Sequence, residues 1–160
     1  MIFVSTGSRK FQFNRLLEKL DELIELNVIK EEVFAQIAES SYIPQNFGYK
    51  RYLSPEEFSD FQNNAYLIIS HAGTGALISA LKKEKQVIAV PRLSKYFEHS
   101  DDHQTQISSV LANEGYLREV LDMDKLGETI LLAYENPIKK KYNKPSNIIQ
   151  IIDKFLSGDL

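Results

Sequence analysis

Short apolar runs alternate along the chain with segments whose apolar residues recur every three or four positions, and this alternation predicts a parallel sheet with helices packed on its faces. Ile2-Phe3-Val4 is the first run and ends in the polar loop Ser5-Thr6-Gly7-Ser8. Phe13, Leu16, Leu17, Leu20, Leu23 and Ile24 then fall on one helical stripe. Val33 to Ile37 reads as a second strand, and Phe47 to Leu53 holds a third. Ser54-Pro55-Glu56-Glu57 is a helix start, with Ser54 as cap, Pro55 at the first helical position and Glu57 completing a capping box. Phe58, Phe61 and Ala65 form the inward face of that helix.

Tyr66-Leu67-Ile68-Ile69-Ser70 is apolar on both faces, as a central parallel strand must be. It runs into His71-Ala72-Gly73-Thr74-Gly75, a helix from Ala76 to Lys83, and a buried strand Val87 to Val90 that stops at Pro91. Strand, glycine turn, helix and strand in this order form a compact βαβ unit. A polar loop from Arg92 to Ser100 leads to a helix opening near Asp101 or Asp102, with Ile107, Val110 and Leu111 inward and Gly115 as its stop. A helix from Asp124 to Glu135 closes at Asn136-Pro137, and a last one after Pro145 carries Ile148, Ile151, Ile152, Phe155 and Leu156. With no repeat and no long linker, residues 1–160 read as one doubly wound, Rossmann-like α/β domain with a mostly parallel sheet.

Composition narrows what such a domain does. At 160 residues, 43% hydrophobic and 26% charged, the chain has enough apolar material for a globular core. Its 19 Lys and Arg against 22 Asp and Glu leave a net charge of −3, so the overall basic footprint of a nucleic-acid binder is missing. The absence of Cys removes disulfides, thiolate catalysis and cysteine-ligated metal sites together, and fits a reducing compartment. The opening apolar run is too short for a signal-peptide core, and no stretch approaches the roughly 18 apolar residues of a membrane span.

Three polar segments leave strand ends: Thr6-Gly7-Ser8, His71 to Gly75, and Arg92 to Gln104. A doubly wound sheet brings such segments to one rim, where ligands bind. Gly73-Thr74-Gly75 stands where a strand becomes a helix, a place suited to a phosphate and equally to a plain tight turn. It is neither a Walker A loop nor the dinucleotide fingerprint. Glu98-His99-Ser100-Asp101-Asp102-His103-Gln104 is open to three readings: recognition of a sugar or phosphate, helix capping with solvated charge, or a metal held by His99 and His103. Lys139, Lys140, Lys141 and Lys144 form either a solvated connection or a surface for anionic lipid.

Ser70 to Gly75, Val90-Pro91-Arg92 and Glu98 to Gln104 together resemble the donor-binding C-terminal half of glycosyltransferases of the GT-B type, such as the peptidoglycan N-acetylglucosaminyltransferase. Met1 to Gly7, Phe13-Asn14-Arg15-Leu16, Gln36 and Tyr42-Ile43-Pro44 are similar to the group in which this half is a separate small protein. That group includes the small catalytic subunit of the dolichol-linked N-acetylglucosaminyltransferase and, most similar to this chain, bacterial exopolysaccharide and capsule subunits of the PssE kind. The resemblance implies an inverting transferase that uses a UDP-sugar as substrate, with no cofactor and no required metal. It implies that Gly73, Thr74 and Gly75 meet the diphosphate with Thr6, Gly7 and Ser8 facing it. His103 and Gln104 would reach the sugar, and the backbone near Leu53 the uracil edge. His71, Arg92, His99 and Asp102 complete the expected substrate-binding set. The acceptor base, and a lipid-linked acceptor, would come with a membrane-anchored partner subunit, holding this cytoplasmic chain at the inner face of the membrane. The family's ribose-binding Glu has its place at Ser79 here, which leaves open a rival role as a non-catalytic enhancer of a partner.

Overall fold

The computed structural model describes residues 1–145 and Lys154; the helix expected after Pro145 lies outside the described residues. Six strands form one sheet: β1 (Ile2–Ser5), β2 (Val33–Gln36), β3 (Gly48–Lys50), β4 (Leu67–Ser70), β5 (Gln86–Ala89) and β6 (Arg118–Glu119). Their order is β3-β2-β1-β4-β5-β6 and every pairing is parallel. The helices are α1 (Asn14–Glu25), α2 (Pro55–Asn64), α3 (Thr74–Lys82), α4 (His103–Asn113) and α5 (Leu126–Glu135). Strands β2 and β3 are laid down on one side of β1. The chain then returns through α2 and places β4 on the other side, paired Val4 to Ile69 and Ser5 to Ser70. The loops after β1 and β4 therefore diverge at the centre of the sheet, at the switch point where such folds bind ligands.

Both faces of the sheet are covered, which explains its runs of consecutive buried residues. Ile2, Val4, Leu67, Ile69 and Ile88 pack beneath Leu16, Leu17, Leu20, Leu126 and Ile130 of α1 and α5. Phe3, Ile68, Val87 and Ala89 pack beneath Leu77, Leu81, Ile107 and Leu111 of α3 and α4. Phe58 and Phe61 of α2 join this second face, stacking around Phe3 and Phe34 with ring centroids 4.1–5.4 Å apart.

Local signals act as the pattern predicts. Ser54 and Glu57 form the reciprocal capping box, with Pro55 in the first turn. Helix α4 ends at a left-handed Gly115 (φ 81°), where Gly115 N–H donates to Ala112 O and Tyr116 N–H to Leu111 O. This is the paired bonding that satisfies the last carbonyls of a helix. Differences lie at edges. Helix α3 starts at Thr74 rather than Ala76, and a 3-10 turn (Met123–Lys125) precedes α5. Strand β6, two residues long, is absent from the sequence reading; its pairing with Ile88 and Ala89 defines it more than its own side chains do. Among the described residues no helix is long and apolar enough to cross a membrane.

Candidate functional site

Between the ends of β1 and β4 and the facing helices α2, α3 and α4 lies a cleft of about 840 Å³. It is lined by Gly7, Ser8, Leu53, His71, Gly73, Thr74, Gly75, Arg92, His99, His103 and Gln104, so eleven of the thirteen expected site residues meet there. Thr6 and Asp102 do not line it. Thr6 is buried, with its hydroxyl donating to Gln36 O (3.0 Å), and Asp102 is exposed, accepting from Ser94 N–H (2.8 Å). Both hold loops in place. Leu53 lines the cleft, but its N–H already donates to Gln36 Oε1 (2.9 Å).

The floor of the cleft is a packed joint. The His71 ring lies between Gly7 and Gly73, with its backbone N–H (3.0 Å) and Nδ1 (3.2 Å) both directed at Ser5 O. A Cβ at Gly73 would stand 2.2 Å from His71 Nε2, and one at Gly7 2.9 Å, so neither position has room for a side chain. Gly7 also has φ +93°, and Ala72 is held in the left-handed region at φ 65°. Strained backbone of this kind persists where surrounding packing fixes it. Burial, followed by the nearby Arg92 charge, pushes the His71 pKa down to about 3. The ring is thus neutral, with Nδ1–H toward Ser5 O, and serves as a positioning residue that joins the two switch-point loops.

Gln36 braces the same loops from the other side: Nε2 donates to Gly7 O (2.9 Å), while Oε1 accepts from Leu53. Gln104, on the first turn of α4, lies against Arg92 and His71; with its amide in the orientation that satisfies both of its polar atoms, it donates to His71 O (2.6 Å) and accepts from Arg92 Nη2 (3.2 Å). It thereby ties α4 to the floor.

The cleft carries the electrostatic character of an anion site. Arg92 is 1% exposed, and its Nη1 has no hydrogen-bond partner among the described residues. The neighbouring carboxylate, Glu98, is engaged elsewhere: Arg15 grips it through Nε (2.6 Å) and Nη2 (3.0 Å), and Leu93 N–H adds a third bond (2.9 Å). Burial, together with the Arg9 charge, lowers the Arg92 pKa to about 10, so the guanidinium stays charged at neutral pH. From the floor itself α3 rises, Gly73 standing at its N-cap position with no side-chain cap, which leaves the first amides unclaimed within the helix. A Cβ at Gly75 would meet nothing within 4 Å, because that side is open cleft. Uncapped amides, a helix dipole and a buried guanidinium with an unmatched Nη1 together suit a diphosphate.

The acidic-histidine segment resolves against the shared-face metal reading. His99 lies in the loop ahead of α4, stacked at 5.0 Å on Phe11 and 3.3 Å from Asp101, so it shares no helical face with His103. Asp102 occupies the N-cap position of α4 without a side-chain cap bond, and the preceding Asp101 accepts from His103 N–H through Oδ1 (2.9 Å). Of the lysine run, Lys141 pairs with Glu84 and Lys144 with Glu114, while Lys140 lies over the Tyr116 ring.

Sequence reading missed the Arg15–Glu98 pair and the buried Asp21. The Asp21 carboxylate accepts from Tyr42 OH (2.8 Å), Gln45 N–H (2.7 Å) and Asn46 N–H (2.8 Å), fixing the loop between β2 and β3. The same bond pushes the Tyr42 pKa up to about 12. An acid inside an otherwise apolar helix stripe, Leu20-Asp21-Leu23, was the signal available for Asp21.

A fully parallel sheet in this strand order, with a glycine turn and a buried arginine beside a cleft at its switch point, defines a Rossmann-type domain. Residues 1–156 match the family model for the glycosyltransferase family 28 C-terminal domain, and the chain belongs to that family. It therefore corresponds to the C-terminal, Rossmann-like half of the GT-B architecture. Among solved structures it is similar to MurG of Acinetobacter baumannii (16% identity, TM-score 0.62), covering 98% of this chain and 49% of that one. It is also similar to the glycosyltransferase SnogD from Streptomyces nogalater (17%, TM-score 0.59; 82% and 34% covered). The solution structure of ALG13 matches at 18% identity and TM-score 0.59, covering 97% of this chain and 94% of that one. At these identities the likeness is one of fold. The chain spans half or less of the MurG and SnogD chains but nearly all of ALG13. No match was found among curated protein sequences.

Proposed function

We propose that this chain is the donor-binding subunit of an inverting, two-subunit glycosyltransferase that uses a UDP-sugar. The observation that carries the reading is the switch-point cleft, lined by both the uncapped start of α3 and the buried Arg92 with its unmatched Nη1. In a displacement at the anomeric carbon the leaving diphosphate gains negative charge. Fixed N–H donors at Thr74 to Ala76 and the Arg92 guanidinium stabilise that charge without having to reorganise. His103 and Gln104 border the same cleft and are assigned to the sugar.

The acceptor half is assigned to a partner. The chain matches about half of the MurG chain and nearly all of the ALG13 chain, and shares their fold. We assign the acceptor base, a membrane anchor and a lipid-linked saccharide acceptor to that partner. The setting is exopolysaccharide or capsule synthesis at the cytoplasmic face of the membrane, and neither a metal nor a cofactor is required. Ser79, in place of the expected Glu, favours a second reading in which the chain enhances a partner that is itself the catalyst.

The donor reading is tested with Thr74→Val combined with Gln104→Ala, measuring affinity for UDP-N-acetylglucosamine, UDP-galactose and UDP-glucuronate. Loss of at least tenfold for the preferred donor is expected; unchanged affinity would overturn the site assignment. Partner activity that is raised, but not created, by adding this chain would favour the enhancer reading.

A further inference from the structure

The cleft extends past the diphosphate end into a groove between α2 and α3, and one buried group there has no partner in the described residues. Gln62 of α2 is 1% exposed; its Oε1 accepts from Ser79 Oγ (2.8 Å), while its Nε2 is without a hydrogen bond. A buried amide donor left unmatched costs about 1–3 kcal/mol, so it marks a place where an acceptor is to arrive. Gln62 and Ser79 both line the cleft, so the missing acceptor belongs to whatever fills it.

The groove has a direction. Gly75, Ser79 and Lys83 line it at successive four-residue steps along α3. At 1.5 Å per residue, Ser79 lies about 7 Å along the helix from Thr74. That is the span from a phosphate to the hydroxyls of a pentose joined to it. Resting on the donor reading above, we infer that Gln62, oriented by Ser79, recognises the pentose of the nucleoside diphosphate. Its Nε2 donates to a ribose hydroxyl oxygen.

The hydrogen-bond polarity is opposite to that of a carboxylate. A carboxylate only accepts, so it takes protons from a diol. Here the amide donates to a hydroxyl oxygen, while the Ser79 oxygen keeps lone pairs to accept from the neighbouring hydroxyl. Lys83 leaves the groove without net negative charge, its Nζ held by Ser59 O and Oγ at 3.1 and 2.8 Å. Recognition of the pentose is thereby carried by α2 together with α3, rather than by α3 alone.

The test is calorimetric titration of wild-type chain, Gln62→Met and Ser79→Ala with UDP, 2′,3′-dideoxy-UDP and inorganic diphosphate. Wild type is expected to prefer UDP over the dideoxy analogue by about tenfold. Gln62→Met should lose most of that preference while binding inorganic diphosphate as wild type does. Ser79→Ala, which frees the amide to turn, should lose part of the preference and serves alone if Gln62→Met does not fold. A Gln62→Met chain that keeps the wild-type preference would overturn the inference, as would wild type that binds UDP without discriminating. Wild type that binds no uridine nucleotide, alone or with the partner subunit present, would overturn the donor reading itself, and this inference with it.

Discussion

Replacing Gly73 with Ala adds one methyl group at the tightest point of the molecule. Gly73 has an ordinary backbone (φ −67°, ψ 126°), so the substitution brings no conformational strain of its own and isolates the steric effect. The new Cβ would lie 2.2 Å from His71 Nε2 and 2.8 Å from Cε1, against an ordinary contact of roughly 3.5–4.0 Å. The ring has nowhere to retreat, since Gly7 closes on its other side and Ser5 O holds its Nδ1. Overpacking of this kind costs about 1–3 kcal/mol, and the rigid surroundings place Gly73→Ala at the upper end. His71→Ala is expected to cost about 2 kcal/mol through the cavity it leaves. The double variant should cost little more than His71→Ala alone, because the ring that the new methyl strikes is gone. Urea unfolding of the four proteins, with unchanged m values, gives the coupling directly. Costs that add to within about 0.5 kcal/mol would show that the ring and the glycine do not meet, and would refute the reasoning.

Gly75→Ala is the contrasting change: its Cβ enters open cleft, so stability should rise by about 0.5–1 kcal/mol by calorimetry or denaturation while UDP affinity falls. Arg92→Met should likewise stabilise the free chain, by about 1–2 kcal/mol, since it removes a buried charge without a carboxylate partner, and should weaken diphosphate binding at least tenfold. For His71 the folded pKa of about 3 lies below the unfolded value of 6.5, so the folded state binds fewer protons. Its contribution is intact above pH 6.5 and is lost as pH falls toward 3, at up to about 1.4 kcal/mol per unit. Wild type should therefore lose stability more steeply than His71→Asn between pH 6 and 4, and parallel curves would count against a neutral buried ring. Asp21→Ala, which strands three donors, should cost about 2–4 kcal/mol in urea unfolding.

The central strands were legible because burial on both faces leaves uninterrupted apolar runs, as at Leu67 to Ser70 and Ile2 to Val4. Capping chemistry was legible for the same local reason: Ser54, Glu57 and Gly115 act within their own turns. The convergence of three strand-end segments followed from topology alone. What escaped the sequence depends on partners distant along the chain. Arg15 meets Glu98 across 83 residues, and Asp21 collects donors 21 to 25 residues away. The edge strand β6 exists because β5 offers it hydrogen bonds. Arg92 reads in sequence as the start of a polar loop; only the fold reveals that it is buried while its neighbouring acid serves another arginine. Likewise Ser79 reads in sequence as a plain loss of a carboxylate, and only the fold sets Gln62 against it.

The central claim is that the switch-point cleft binds a nucleoside diphosphate, and titration of isotope-labelled chain with UDP, followed by backbone amide resonances, tests both binding and place. The account predicts saturable shifts concentrated at Gly7, Gly73 to Ala76 and Gln104, abolished by Thr74→Val with Gln104→Ala. Shifts centred away from the cleft, or none at millimolar UDP with the partner subunit present, would contradict it.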